Sequence, residues 1–146
     1  MHFYFVASKN EKSWIKNGEL YQATDDIFVT VKDHDNMYYE WHLLPGFLTD
    51  GGSVPRCFRW FVPSWSKSNH VLNLAFALHD AAYASALLDR NDADDLVRGL
   101  LRDAGLCRLR ASTVCYAVNK FAEDHYGPVH DKYGSAPFVK LRRWRP

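Results

Sequence analysis

The chain has 146 residues, of which 47% are hydrophobic and 24% are charged, and its formal net charge is only +1. This composition excludes a predominantly disordered chain, and the length lets one domain bury its own hydrophobic core. Its three cysteines have no paired short spacing, which argues against a disulfide scaffold and favours a reducing compartment. We expect no signal peptide and no transmembrane segment, because the apolar runs are short or interrupted by polar residues.

Charged residues are unevenly distributed along the chain. Residues 1–97 contain 8 Lys and Arg against 13 Asp and Glu, whereas residues 98–146 contain 10 against 4. The two parts therefore carry formal charges of −5 and +6. Residues 127–146 are predicted to form a basic aromatic tail. Such a tail either contacts phosphate groups of lipid or nucleic acid, or stays solvated or contacts another protein.

The first 45 residues are typical of β-strands. Two segments rich in β-branched and aromatic side chains, 27–31 and 37–43, are separated by a polar cluster at 33–36 that favours a turn. We therefore predict an antiparallel hairpin over residues 26–43. Further short strands are predicted at 2–7 and 20–22.

The spacing of apolar residues changes after about residue 69. Apolar side chains then recur every three to four residues, which predicts three helices over about 69–88, 92–103 and 109–124. The first helix is expected to be amphipathic, and Asn91 is expected to cap the second. Because strands precede helices, the predicted fold class is α+β. The chain is predicted to be one domain over 1–146, divided into a β part (1–45), a Gly/Pro-rich loop (46–68), a helical part (69–126) and the tail.

The strongest group of chemically active residues lies on the first predicted helix. His79 and Tyr83 are four residues apart and share a helix face with apolar residues, so the His79 ring needs a buried partner. If the second helix folds back antiparallel, Asp94 comes level with His79 and can accept a hydrogen bond from it. Such a carboxylate makes the imidazole more basic, leaving its other nitrogen to take a proton from water. The alternatives are helix capping for Asp94 and a purely structural bond for His79.

A second group lies in the glycine-rich loop. Asp50 precedes Gly51 and Gly52, which indicates a tight turn and lets backbone carbonyls approach a ligand. With Asp80 supplying further oxygen atoms, the loop suits a hard cation such as Ca²⁺, although a plain turn is the alternative. In either case we expect the loop to lie against the His79 helix, because both motifs otherwise lack partners for their polar groups.

Three segments carry a resemblance to a known family. Residues 45–56 read PGFLTDGGSVPR, residues 78–83 read LHDAAY, and residues 90–94 read RNDAD. They resemble a family of small uncharacterised proteins from bacteriophages, prophages and bacteria, whose pattern is PxGFxTDGASVPR, then HDxLY, then R…AD. The resemblance covers about residues 20–125. It implies a phage or prophage origin and a location in the virion or the host cytoplasm, and it brings no settled biochemical role.

The HDxxY spacing of residues 79–83 is also similar to the active-site helix of phospholipase A2 enzymes, including the small viral capsid kind. That resemblance implies that His79 is the base that activates water and that Tyr83 and Asp94 orient it. It also implies that Asp80 binds calcium together with carbonyl groups of a glycine-rich loop. The candidate loop glycines are Gly46, Gly51 and Gly52.

Two functions remain open at this stage. One is a metal-assisted hydrolase acting on phospholipid or another cell-envelope ester, in which His79 activates water and no covalent intermediate forms. The other is a non-catalytic virion or accessory phage protein, whose His79, Asp80, Asp94 and Asp50 form a buried polar network. The expected partners are membrane lipid or other virion proteins, and the sequence carries no specific nucleic-acid motif. An open cleft at His79 favours chemistry, and full burial favours structure.

Overall fold

The computed structural model describes residues 2–51, 65–121, 126–131 and 133–146. The strands are β1 (Phe3–Lys9), β2 (Trp14–Asn17), β3 (Leu20–Ala23), β4 (Ile27–Asp33), β5 (Tyr38–Leu43), β6 (Leu48–Thr49) and β7 (Val139–Trp144). The helices are α1 (His70–Ser85), α2 (Arg90–Asp103) and α3 (Arg108–Phe121), with short 3-10 helices at Pro128–His130 and Ala136–Phe138. Antiparallel strands dominate the first part and helices the second, so the predicted α+β class is confirmed.

The predicted hairpin, β4 with β5, lies at the centre of an antiparallel sheet with the strand order β1-β4-β5-β7. Side chains alternate between a buried face and a partly exposed face, as on any pleated strand of a half-covered sheet. The turn forms around Asp33, whose carboxylate accepts hydrogen bonds from the backbone N–H groups of Asp35 and Met37 and from the Tyr39 hydroxyl. The hairpin and its turn are therefore confirmed.

The outer strands β1 and β7 complete this sheet. β1 confirms the strand predicted near the start of the chain, whereas β7 corrects the expectation of a tail over residues 127–146. Val139 pairs with Leu43, and Leu141 with Trp41, so these two apolar side chains extend the core face of the sheet. A basic segment can join the sheet because alternate side chains point to opposite faces, which leaves Lys140 and Arg142 largely in water.

A smaller antiparallel sheet has the order β2-β3-β6. β3 confirms the short strand predicted at residues 20–22. β6 lies inside the segment predicted to be an irregular loop, and its Leu48 and Thr49 pair with Gln22 and Tyr21 of β3. This pairing anchors the beginning of the glycine-rich loop.

All three predicted helices are present, with boundaries within a few residues of those expected. The expectation that α1 is amphipathic is wrong, because nearly every residue between Leu72 and Ala84 is buried. This helix packs against α2, β6 and the short 3-10 helices, so it has core neighbours on several sides. Along the described part of the chain, none of the helices has the length and apolar character needed to cross a membrane.

The contact between α2 and β1 fixes the helices against the main sheet. A Cβ atom at Gly99 would lie 2.2 Å from the carbonyl oxygen of Phe3, so only glycine permits this approach of helix to strand. Asp103, one turn further along α2, accepts a hydrogen bond from the backbone N–H of Phe5 at 2.7 Å. These contacts determine the position of α2, which carries Asp94.

Candidate functional site

The helices α1 and α2 are joined by residues 86–89 and pack against each other as an antiparallel pair. α1 ends at Ser85, and Ala86 adopts a left-handed conformation with φ of 54° while its N–H bonds the carbonyl of Ala82. The expectation that Asn91 caps α2 is wrong, because Asp89 occupies the cap position. The Asp89 carbonyl already accepts the Ala93 N–H at 2.8 Å, so helical hydrogen bonding starts earlier than the sequence indicated.

His79, Tyr83 and Asp94 meet in the buried interface of this helix pair. The Nε2 atom of His79 lies 2.9 Å from Oδ1 of Asp94, and the Tyr83 hydroxyl donates to the same oxygen at 2.7 Å. The predicted contact between His79 and Asp94 is therefore confirmed. An ionised carboxylate only accepts hydrogen bonds, so Nε2 carries the proton and Nδ1 is the basic nitrogen of the neutral ring. His79 is only 6% exposed and Asp94 only 3%, so the pair is not in an open cleft.

A fourth member of the network, Asn119, comes from α3 and was missed by the sequence prediction. Its Nδ2 atom donates to Oδ2 of Asp94 at 2.6 Å. The Cys115 thiol, one turn earlier on α3, donates to the backbone carbonyl of Asp94 at 3.4 Å. The sequence signal for Asn119 is an amide side chain directly after the buried Val118. This signal is weak unless the packing of α3 on α2 is known.

The hydrogen bonds determine the charge state of this network. Burial by itself raises the pKa of Asp94, but the bonds from His79, Asn119 and Tyr83 outweigh it and hold the pKa below its ordinary value. Burial and the hydrogen bond to Asp94 raise the pKa of Tyr83. At neutral pH, Asp94 is therefore ionised and Tyr83 is a protonated donor.

The glycine-rich loop begins beside Asp80, the residue that follows His79 on α1. The Thr49 hydroxyl donates to Oδ2 of Asp80 and accepts the Gly51 N–H at 3.2 Å. Asp50 also hydrogen-bonds Asp80, through its backbone and its carboxyl group. The predicted packing of this loop against α1 is confirmed, and it brings Asp50 and Asp80 together. Gly51 has φ of +71°, whereas Gly52 lies outside the described residues.

Asp80 and Asp50 form a pair of closely placed carboxyl groups. Burial and the negative charge of Asp50 raise the pKa of Asp80 well above its ordinary value, although the Thr49 hydrogen bond opposes this shift. Such a pair either shares a proton or is neutralised by a cation, and its oxygen atoms suit Ca²⁺. Within the described ranges, no group of three or more His, Cys, Asp or Glu side chains is placed so that it could hold a metal ion. Backbone carbonyls and water would therefore have to supply the remaining ligands.

A groove of about 430 Å³ opens between α2 and α3 on the Asn119 side of the network. Asp94, Asn119, Arg98 and Ser112 are among its lining residues. His79 is not among the lining residues. The groove therefore meets the network at Asp94 and Asn119.

Comparison with known proteins identifies the family of the chain. No curated protein and no solved structure matches it. A family model does match residues 21–118, which is more than half of the chain. The matched residues include the His79–Asp94 pair together with Asp50 and Asp80, and the match ends one residue before Asn119. The chain therefore belongs to the family described as "Protein of unknown function (DUF1353)".

Proposed function

We propose that this chain is a phage- or prophage-encoded, metal-assisted hydrolase that activates water with His79. The observation that carries the proposal is the juxtaposition of two networks on α1: His79 bonded to Asp94 and Tyr83, and Asp80 bonded to Asp50 and Thr49. This arrangement agrees with the roles that the phospholipase A2 resemblance implies. The phage origin rests on the motifs at 45–56 and 78–83, and the corresponding location is the virion or the host cytoplasm.

The His79 ring is the general base in this proposal. Asp94 accepts a hydrogen bond from Nε2–H, so Nδ1 holds the lone pair that removes a proton from water. When the ring becomes an imidazolium, the ionised Asp94 stabilises it at 2.9 Å, and Tyr83 and Asn119 keep that carboxylate in position. The low pKa of Asp94 supports this role, because the carboxylate stays charged throughout.

Asp80 and Asp50 are the proposed cation ligands, with a carbonyl of Gly51 or Gly52 as a further one. A bound Ca²⁺ would polarise the carbonyl group of an ester and stabilise the negative charge that develops on it. The raised pKa of Asp80 supports the assignment, because two adjacent carboxylates are unfavourable until a positive charge compensates them. The proposed substrate class is an ester of the cell envelope, and phospholipid is the first candidate.

The test is hydrolysis of fluorogenic phospholipid and short-chain ester substrates, with Ca²⁺ and with a chelator. We expect activity with Ca²⁺ that falls by a factor of at least about 100 in His79→Gln, since general-base catalysis contributes about 10² to 10⁴. His42→Gln is a matched control, because His42 also bonds an aspartate, Asp26, at 2.7 Å, but lies in the main sheet. Equal activity in the two variants would refute the role of His79.

A second candidate is a non-catalytic virion or accessory phage protein, and the burial of His79 and Asp94 favours it. In that case the network only holds α1, α2 and α3 together. Its expected signature is a large loss of stability in His79→Gln, combined with no hydrolysis of any ester by the wild-type chain. Calcium would then leave the unfolding temperature unchanged.

A further inference from the structure

One face of the main sheet points away from the helices. The opposite face carries Ile27, Val29, Val31, Trp41 and Leu43, which belong to the hydrophobic core shared with α1 and α2. The residues between them on β4 and β5 are only partly buried. We call this second side the open face, and define it by twelve residues of the four strands: Tyr4, Ala7, Lys9, Phe28, Thr30, Lys32, Tyr38, Glu40, His42, Lys140, Arg142 and Trp144.

Strand register arranges aromatic and basic side chains of the open face in two rows across the sheet. The first row is Lys9, Phe28, His42 and Lys140, and the second row is Tyr4, Lys32, Tyr38 and Trp144. The rows are four residues apart along β4, which corresponds to about 13 Å at the usual rise of a strand. Each row thus combines rings with at least one cation.

The rings in these rows are stacked and remain accessible. Phe28 and His42 have centroids 4.3 Å apart, and Tyr38 and Trp144 have centroids 5.4 Å apart, with interplanar angles of 20° and 19°. All four side chains are partly exposed, and Tyr4 at the edge is 45% exposed. Each ring of a stacked pair has one face covered by its partner, so the open face offers aromatic surface to solvent at the remaining ring faces and edges.

The charge of the open face is predominantly positive. This face carries one acidic strand residue, Glu40, and four basic residues: Lys9, Lys32, Lys140 and Arg142. Arg142 lies 3.6 Å from Glu40 and its guanidinium is 4.8 Å from the centroid of the Trp144 ring, yet 70% of its side chain is exposed. Asp26, just before β4, adds a second carboxylate, which is hydrogen-bonded to His42. The cations outnumber the carboxylates, which suits an anionic partner.

We propose that the open face binds single-stranded nucleic acid. Accessible rings on a sheet can stack with bases, and cations spread between them can bind the phosphates, which is how sequence-tolerant single-strand sites work. The positive charge of the open face would also attract an anionic membrane. A membrane is the less suitable partner, because these rings are held in stacked pairs within the sheet and do not form a projecting apolar group. This inference is independent of the proposed hydrolase site.

The test is fluorescence anisotropy with the full chain and a labelled oligothymidylate of about 16 nucleotides, within the range of single-strand site sizes. We expect binding that weakens steeply with added salt, and about tenfold weaker binding for Tyr38→Leu and for Trp144→Leu. Tyr116→Leu is the matched ring control, because Tyr116 is 62% exposed on α3, away from the sheet. Thermal unfolding verifies that each variant is folded.

Charge reversal gives a second measurement if a ring variant fails to fold. Arg142→Glu should weaken binding severalfold and reduce its salt dependence, whereas Lys120→Glu, an exposed position on α3, should have a smaller effect. Absence of oligonucleotide binding, or ring variants that bind like wild type, would overturn the proposal. So would a preference for vesicles containing phosphatidylserine over the oligonucleotide, or equal binding of a duplex of the same length.

Discussion

Replacing Asp94 by alanine tests whether one buried carboxylate holds the helices together. The carboxylate accepts hydrogen bonds from His79, Tyr83 and Asn119 at 2.9, 2.7 and 2.6 Å, so the substitution leaves three donors from α1 and α3 without their acceptor. A buried donor left unsatisfied costs about 1 to 3 kcal/mol. The three costs are not additive within one network, since the remaining groups relax together.

We therefore expect Asp94→Ala to lower the free energy of unfolding by about 3 to 5 kcal/mol, the range for breaking a buried charged pair. For a chain of this length that corresponds to a fall in Tm of about 10 °C or more. Asp94→Asn should cost about 1 to 2 kcal/mol, because its amide oxygen still accepts from His79 and Tyr83, while Asn119 can rotate its own amide to accept. Its effect on any hydrolysis should be larger than its effect on stability.

Urea unfolding followed by tryptophan fluorescence measures these differences. Asp95→Ala is the matched control, because Asp95 is the next residue on α2 and forms a partly exposed ion pair with Arg98 at 2.8 Å. Its loss should cost at most about 1 kcal/mol. If Asp94→Ala destabilises the chain no more than Asp95→Ala does, then the network does not hold the helices. The function proposed for Asp94 would then lose its structural basis.

Three further outcomes are expected. The lowered pKa of Asp94 means that its stabilising effect is present above the unfolded-state pKa of about 3.9 and is lost as the pH falls through the folded-state value. The stability difference between wild type and Asp94→Asn should therefore shrink in acid urea titrations. The raised pKa of Asp80 has the opposite effect on stability, because the ionised carboxylate destabilises the folded chain. Asp80→Asn should therefore raise Tm at neutral pH. This gain should vanish below about pH 4, or when bound Ca²⁺ already neutralises Asp50 and Asp80. Gly99→Ala should lower Tm although alanine favours helices, because its Cβ would lie 2.2 Å from the Phe3 carbonyl oxygen; an unchanged or higher Tm would contradict the α2–β1 packing.

Features that depend on neighbouring residues could be predicted from the sequence. The hairpin of β4 and β5 follows from two β-branched, aromatic segments around a polar turn, and the helices follow from apolar periodicity. The contact of His79 with Asp94 was also predictable, although it spans fifteen residues. A short connection between two helices forces them to be antiparallel, and the helical rise then sets which positions come level.

The positions of β7 and α3 were decided by the tertiary structure alone. β7 joins the sheet because its apolar side chains meet Trp41 and Leu43, about a hundred residues earlier, and nothing within a basic segment reveals that partner. Asn119 reaches Asp94 only because α3 packs on α2, and the open face exists only because four separate strands align in one register. Local spacing determines which face of an element a side chain occupies. The partner opposite that face depends on how the whole chain packs, because burial is shared among segments that the sequence keeps far apart.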